Sequence, residues 1–271
     1  MIGSKGTTAF AGGKMLAAKE DGIGFVTFNQ PEKRNAMSME MWLGLGDIMD
    51  EFSADDSIGV VVMSGAGDKA FVSGADISQF EKNRSDADGQ KEYNRQTSVG
   101  REKFHKFQKP IIAKIRGFCM GGGLAIAMAT DLRISATDGQ FGIPAARLSI
   151  AYSPDSVQTL IDLVGPAHAR MILYTARRID AKEAERIGLI NQCVAIEDLD
   201  RTVMEYARNI AENAPLSVRA SKITINELMK DESKRDMTAI KEISDICFNS
   251  ADYKEGRTAF MEKRRPKFIG K

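Results

Sequence analysis

Apolar residues along this chain follow two kinds of pattern, short β-branched runs and longer stripes at helical spacing. The short runs predict strands at residues 14–19, 23–28, 58–63, 70–72, 111–115 and 132–136. The stripes predict helices that begin after Ser38 and that cover residues 93–107, 154–164 and 166–174. Residues 140–144 are predicted to form a loop. Strands therefore alternate with helices over most of the chain, which indicates an α/β fold.

The last third of the chain has a different pattern. From residue 181 onward the spacing of apolar residues is helical, and beyond residue 190 we expect helices alone. We divide the chain into a flexible N-terminal tail at residues 1–12, a core at residues 13–195 and a C-terminal helical region at residues 196–271. Residues 81–90 are charged and contain glycine, which predicts a mobile surface segment.

Composition narrows the class of protein. The 271 residues suit one large domain with a sizeable core. Lys and Arg number 38 against 37 Asp and Glu, so charge gives no reason to expect a nucleic-acid partner. Three widely spaced cysteines argue against a disulfide framework and a zinc site, and they fit a reducing cytoplasm. No apolar run has the length that a membrane span requires, so we expect no membrane partner.

Three consecutive glycines, Gly121, Gly122 and Gly123, stand between the predicted strand at residues 111–115 and a short apolar helix. Such a run is conformationally costly unless the backbone must approach another group closely. One interpretation is a tight strand-to-helix connection. The other is a binding site for an anion or a negatively charged oxygen, because free N–H groups point outward at a helix start. This stretch alone does not separate the two.

A second glycine-containing loop, Ser73-Gly74-Ala75-Asp76, also follows directly after a predicted strand. Each of the two loops can present a free backbone N–H. If two such groups converged on one carbonyl oxygen they would form an oxyanion hole, in which one donor typically lowers a barrier by about 3–4 kcal/mol. Neither loop has the pattern of a nucleotide phosphate loop.

Four segments of the chain resemble those of the crotonase family, which includes enoyl-CoA hydratases and isomerases. They cover residues 29–37, 70–77, 117–123 and 259–266, in order and at ordinary spacing. The resemblance implies a spiral of ββα repeats followed by a C-terminal helical region that forms homotrimers, often paired into hexamers. It also implies an acyl-CoA thioester as substrate, with coenzyme A entering as part of that substrate and no separate cofactor.

The same resemblance implies roles for particular residues. The N–H groups of Ala75 and Gly122 would stabilise an enolate-like thioester oxygen. Lys33 would lie near the adenine or the phosphates of CoA. Phe260 and Lys263 would reach a CoA bound by a neighbouring subunit. The other residues implied in CoA binding belong to the two glycine loops: Ser73, Gly74, Asp76, Ile77 and Gly121.

The chain departs from the family's pattern at two positions. Hydratases of the family use two glutamates to activate water, and Ala125 and Ala145 stand at those places. Alanine cannot transfer a proton, so addition of water by a glutamate pair cannot operate there. The resemblance thus implies an enzyme that keeps the thioester-activating half of the machinery and lacks the usual acid and base.

Tyr152 and Asp155 are the candidates to replace the missing carboxylates. Tyr152 would donate a proton or would line the acyl pocket with its hydroxyl hydrogen-bonded. Asp155 would act as a catalytic carboxylate or would simply cap the next helix. We expect His105 and His168 to be structural. The reaction is nominally hydration, with isomerisation, hydrolysis or decarboxylation as alternatives. A catalytically inactive acyl-CoA-binding protein is the alternative from another class.

Overall fold

The structure is a computed structural model that describes residues 6–76 and 87–271. The strands within these residues are β1 (Thr8–Phe10), β2 (Met15–Glu20), β3 (Ile23–Phe28), β4 (Val60–Gly65), β5 (Ala70–Val72), β6 (Ile111–Ile115), β7 (Phe118–Met120), β8 (Leu132–Ala136), β9 (Gln140–Gly142), β10 (Ile179–Asp180) and β11 (Gln192–Val194). The helices are α1 (Met39–Ala54), α2 (Ala87–Lys106), α3 (Gly122–Met128), α4 (Pro154–Thr175), α5 (Ala181–Arg186), α6 (Leu199–Ala211), α7 (Pro215–Leu228), α8 (Met237–Asn249) and α9 (Ala251–Met261).

The strands form two sheets. The larger has the order β1-β2-β3-β4-β6-β8-β11, antiparallel from β1 to β3 and parallel from β3 onward. The smaller has the order β10-β9-β7-β5, with parallel pairing of β5, β7 and β9 and an antiparallel edge at β10. Successive strand pairs β4–β5, β6–β7 and β8–β9 each give one strand to each sheet, and a helix follows each pair. The chain therefore advances as a spiral of ββα repeats.

Two apolar clusters hold these layers together. The first lies between the sheets and α1, and in it the rings of Phe28 and Phe71 meet edge-on with centroids 5.3 Å apart. The second covers the other face of the larger sheet, where Val203 and Ala207 of α6 pack on Val62 and Ile112. Side chains on both faces of the parallel strands are thus buried, which explains why these strands are apolar runs rather than alternating ones.

Several local predictions are confirmed. Ser38 caps α1, its hydroxyl accepting a hydrogen bond from the N–H of Met41 at 3.3 Å. The two helices predicted on either side of residue 165 form the single span α4, broken by Gly165 at φ +72°. The predicted mobile segment falls mostly outside the described residues, and α2 already begins at Ala87.

Three predictions are wrong. Residues 8–10 do not belong to a flexible tail, because β1 pairs with β2 and extends the larger sheet. Residues 140–142 are not a loop but strand β9, which pairs with β7 on one side and β10 on the other. The last third is not purely helical, since β11 at residues 192–194 pairs in parallel with β8. Each of these strands has only three residues, too few to show a period, and β9 and β11 pair with partners distant in sequence.

The C-terminal region is joined to the core by a polar contact. Lys222 of α7 donates to Asp131 Oδ2 at 2.8 Å and to the carbonyl of Lys109 at 2.9 Å, and the same carboxylate accepts from the N–H of Ile111 at 2.7 Å. In the parts of the chain that the structure describes, no helix has the length and apolar character needed to cross a membrane.

Candidate active site

The two glycine loops lie side by side. Strands β5 and β7 are parallel neighbours, so the segments that follow them leave the smaller sheet at the same edge. A Cβ atom built on Gly122 would lie 3.8 Å from the backbone nitrogen of Ala75 and 3.9 Å from the carbonyl carbon of Gly74. The structure therefore brings together the two segments that the sequence alone left unpaired.

The direction of the Ala75 amide follows from its pairing with Met37. Met37 N–H donates to Gly74 O at 2.8 Å, and Asp76 N–H donates to Met37 O at 2.9 Å, which makes Met37 and Ala75 the centre of a parallel bridge. In this pattern Met37 makes both hydrogen bonds, while Ala75 lies between the two bonded residues of its segment and directs its own N–H away from Met37. Within residues 6–76 and 87–271, neither the Ala75 N–H nor the Gly122 N–H has a hydrogen-bond acceptor.

Backbone conformation and close packing explain two of the three glycines, Gly121 and Gly123. Gly121 adopts φ +50° and ψ −116°, a conformation that residues with a Cβ rarely reach. A Cβ on Gly123 would lie 2.0 Å from the carbonyl oxygen of Val72, so close packing against β5 excludes a side chain there. Gly122 has neither constraint. It is the first residue of α3, where N–H groups lack intrahelical partners. The interpretation as a tight connection is therefore confirmed for Gly123, and the interpretation of Gly122 as a donor to a negatively charged oxygen stays a prediction.

The residues predicted to contact CoA lie close to the Ala75 loop. Lys33 Nζ is 2.8 Å from Asp76 Oδ2, and this ion pair raises the pKa of Lys33 and leaves its side chain half exposed. Ser73 N–H donates to Arg34 O at 3.1 Å, and the Ser73 hydroxyl donates to Lys33 O at 3.4 Å. Gly74 adopts φ +125°. The Asp76 side chain is buried, and through this ion pair it connects Lys33 with the loop. Ile77 lies outside the described residues.

Tyr152 lies beside the Gly121–Gly122 turn. Its hydroxyl donates to the carbonyl oxygen of Gly121 at 3.0 Å, and its ring packs against the core. Burial raises the pKa of the Tyr152 phenol well above its ordinary value, and the buried Cys119 raises it further. The hydroxyl is therefore a hydrogen-bond donor at neutral pH, and no free base is available from it.

Asp155 is exposed in the first turn of α4, and it is not the helix cap. That role belongs to Ser153, whose hydroxyl accepts from the N–H of Ser156 at 3.4 Å. The interpretation of Asp155 as a simple cap is wrong, because the cap needs an extended residue before the helix and Asp155 is already inside it.

The surroundings of His105 shift its pKa. The residue lies on α2, and the charge of Asp155 tends to raise its pKa. Desolvation and the neighbouring Arg101 lower the pKa of His105, so the imidazole is neutral at pH 7.

The chain matches a known protein family over most of its length. A family model described as enoyl-CoA hydratase/isomerase matches residues 18–271. The chain belongs to the enoyl-CoA hydratase/isomerase family.

Curated relatives of the family cover nearly the whole chain. It is 37% identical over 260 residues to the crotonyl-CoA hydratase of Syntrophomonas wolfei, covering 95% of this chain and 98% of the relative. It is 36% identical over 251 residues to the short-chain-enoyl-CoA hydratase of Clostridium acetobutylicum, covering 93% and 95%.

Solved structures show the same fold. The chain is similar to an enoyl-CoA hydratase/carnithine racemase from Magnetospirillum magneticum, with a TM-score of 0.90, 36% identity and coverage of 95% and 96%. It is also similar to an enoyl-CoA hydratase from Bacillus anthracis, with a TM-score of 0.88, 28% identity and coverage of 95% and 100%. The crotonase fold implied by the sequence is thus confirmed, and the protein is a hydratase-like enzyme whose exact reaction is open.

Ala125 and Ala145, which the resemblance places where hydratases of the family carry glutamates, both lie next to the Gly121–Gly122 turn. Ala125 is one helical turn beyond Gly121, and its N–H donates to Gly121 O at 3.0 Å. Ala145 follows Pro144, whose Cδ would be 3.8 Å from a Cβ on Gly121. Both alanines are half-buried. Over the described residues, no group of three or more histidine, cysteine, aspartate or glutamate side chains could hold a metal ion.

Phe260 lies near the end of α9 and Lys263 follows the helix, and both are at the surface. Phe260 leaves 83% of its surface exposed, and Lys263 is exposed just after the helix with φ +55°. Their implied contact with a neighbouring subunit's CoA remains a prediction, because the structure describes one chain.

Proposed function

We propose that this protein is an acyl-CoA enzyme in which the N–H groups of Ala75 and Gly122 form the oxyanion hole for a thioester carbonyl oxygen. The proposal depends on one observation: two backbone N–H groups without acceptors in the described chain stand side by side at the exits of neighbouring parallel strands. Such donors stabilise the negative charge that an enolate-like thioester oxygen acquires. Because the hole is built from backbone, it does not depend on the side chains at positions 125 and 145.

Around this hole we propose an acyl-CoA site in which coenzyme A enters as part of the substrate and no separate cofactor takes part. Lys33 supplies positive charge beside the Ala75 loop, where it suits the phosphates of CoA. Gly74 and Gly121 allow the substrate to approach the backbone, and Ser73 and Asp76 keep the loop in place.

The proton carrier is the open part of the mechanism. Alanine at positions 125 and 145 removes the pair that positions water in the family's hydratases, and the hydroxyl of Tyr152 is already donated to Gly121 O. Asp155, which is exposed in the first turn of α4, is therefore the better of our two candidates. This arrangement favours proton transfer in isomerisation, hydrolysis or decarboxylation over ordinary hydration. A protein that binds acyl-CoA without turning it over is favoured only by the loss of both glutamates.

A panel of acyl-CoA esters analysed by mass spectrometry tests the proposal. Since the named relatives are crotonyl-CoA and short-chain-enoyl-CoA hydratases, crotonyl-CoA comes first. We expect it to bind but to be hydrated about 10²–10⁴-fold more slowly than by a relative with both glutamates, because that is the usual contribution of acid–base catalysis. Hydration at the relative's speed would contradict the proposed loss of the acid and base.

Two other outcomes of this panel separate the alternatives. Turnover of another ester would identify the reaction, and an Asp155→Asn variant with full activity on that ester would exclude Asp155 as the proton carrier. Binding without any product would favour the inactive acyl-CoA-binding protein. No heat on calorimetric titration with CoA would remove the central premise.

We also propose that the chain forms a homotrimer or a dimer of trimers through its C-terminal helices. These helices expose large apolar side chains, which include Ile225, Met229, Phe248, Phe260 and Met261, each with more than half of its surface accessible. Apolar surface of this kind typically marks an interface. We expect sedimentation to give three or six times the chain mass of 29.7 kDa, and a monomer would contradict the proposal.

A further inference from the structure

The carbonyl oxygen of Gly121 accepts two hydrogen bonds. One comes from the hydroxyl of Tyr152 at 3.0 Å, and the other comes from the N–H of Ala125 at 3.0 Å. This carbonyl belongs to the same peptide group as the N–H of Gly122. Tyr152 is thus joined by one hydrogen bond to the group that supplies half of the proposed oxyanion hole.

The geometry of a peptide group gives this contact its consequence. The group is planar and trans, so its C=O and its N–H point in opposite directions. Donors that hold the Gly121 oxygen on one side therefore direct the Gly122 N–H toward the other side, where the Ala75 N–H lies.

The peptide needs such a restraint because glycine flanks it on both sides. Gly121 adopts φ +50° and ψ −116°, and a glycine can also adopt the conformations in which this peptide is turned over. Without Tyr152, the Ala125 N–H is the remaining donor to the carbonyl in the described chain. It lies in the first turn of a helix of only 7 residues, where hydrogen bonds fray.

A second effect is electronic. A hydrogen bond to the oxygen of a peptide group polarises it and strengthens the hydrogen bond that its own N–H donates. Burial raises the pKa of the Tyr152 phenol, so the hydroxyl keeps its proton and acts as a donor throughout the physiological range.

We propose that Tyr152 is a positioning residue, whose hydroxyl orients and polarises the Gly121–Gly122 peptide so that the Gly122 N–H is aimed at the thioester oxygen. This inference rests on the proposed oxyanion hole. It assigns Tyr152 a task in binding the oxygen and not in carrying a proton.

The test measures the thioester carbonyl of a bound ligand by isotope-edited infrared spectroscopy, with butyryl-CoA carrying ¹³C at the carbonyl. Binding to the wild-type enzyme lowers the carbonyl stretching frequency, because hydrogen bonds from the hole weaken the C=O bond. We expect Tyr152→Phe, which keeps the ring and removes the hydroxyl, to give a smaller lowering. On an ester that the enzyme turns over, kcat falls about tenfold with KM unchanged, as suits the loss of one hydrogen bond.

Tyr206→Phe is the matched control. It removes a hydroxyl that donates to Gln192 Oε1 at 3.3 Å on the far C-terminal part of the chain, and we expect no change in frequency or in kcat. The melting temperatures and the affinities for free CoA of both variants should stay near those of the wild type.

The possible failures are distinguishable. If Tyr152→Phe lowers the carbonyl frequency as much as the wild type does and keeps its kcat, the inference about Tyr152 is overturned and the proposed hole stands. A wild-type enzyme that binds butyryl-CoA without any lowering would overturn the hole itself, and the inference with it. A fall in kcat with an unchanged frequency would also overturn the inference, since it would indicate a proton-transfer role.

Discussion

Replacing Gly122 with proline should lower kcat by about 10²–10³ on any ester that the enzyme turns over, because this is the usual cost of removing one oxyanion-hole donor. Proline has no N–H, so the change deletes the proposed donor itself. Gly122 is the first residue of α3, the helix position that accepts proline best, so the fold should survive. The affinity for free CoA should stay unchanged, because CoA does not carry the thioester oxygen.

Ala251→Pro is the matched control for this variant. Ala251 is the exposed first residue of α9, and the preceding Ser250 has φ −73° and ψ 158°, a conformation that suits a residue before proline. We expect wild-type kcat from it. Steady-state kinetics give kcat for both variants, and thermal unfolding shows whether both are folded. A folded Gly122→Pro protein with wild-type kcat would show that the Gly122 N–H stabilises no charge in the transition state.

The double change Ala125→Glu and Ala145→Glu should increase hydration of crotonyl-CoA by about 10²–10⁴, since acid–base catalysis typically contributes this much. Both positions are half-buried beside the Gly121–Gly122 turn, so two carboxylates there could share a water molecule. Their mutual repulsion would raise the pKa of one of them, which provides an acid beside a base. The rate should therefore depend on pH as a bell-shaped curve.

The pair Ala125→Gln and Ala145→Gln is the control, because glutamine has nearly the size of glutamate and cannot transfer the proton. Hydration by the glutamine pair should stay at the wild-type level. Equal rates for the glutamate and glutamine pairs would show that positions 125 and 145 do not face the reacting carbons. The loss of the two glutamates would then carry no mechanistic meaning in this protein.

Some strands of the fold could be predicted from the sequence, and others could not. The apolar runs correctly placed the strands of the larger sheet from β2 to β8, because those strands are buried and long enough to show a pattern. Strand β9 was taken for a loop, since its three residues include a glycine and it is held in place by β7 and β10. Strands β1 and β11 were missed because each has only three residues, too few to show a period.

Some features of the candidate site could likewise be predicted from the sequence, and others could not. The oxyanion donors were identified by the resemblance around Gly74 and Gly122, and the fold in which they meet is confirmed by relatives and solved structures. Their catalytic roles, and those of the other site residues, remain predictions. Tyr152 was selected as a neighbour of the acyl pocket, but its partner, the Gly121 carbonyl, could not be read from a spacing of 31 residues.

By itself, the sequence determined the family, the two glycine-bearing strand exits and the absence of glutamate at positions 125 and 145. These features depend only on which residues occur and on their order along the chain. Only the tertiary structure decided that the two exits are neighbours, that backbone conformation and close packing account for Gly121 and Gly123, and that the Tyr152 hydroxyl donates to the carbonyl oxygen of Gly121. The physical reason is that parallel strands are paired through crossover connections, so their register depends on packing between residues far apart in the chain.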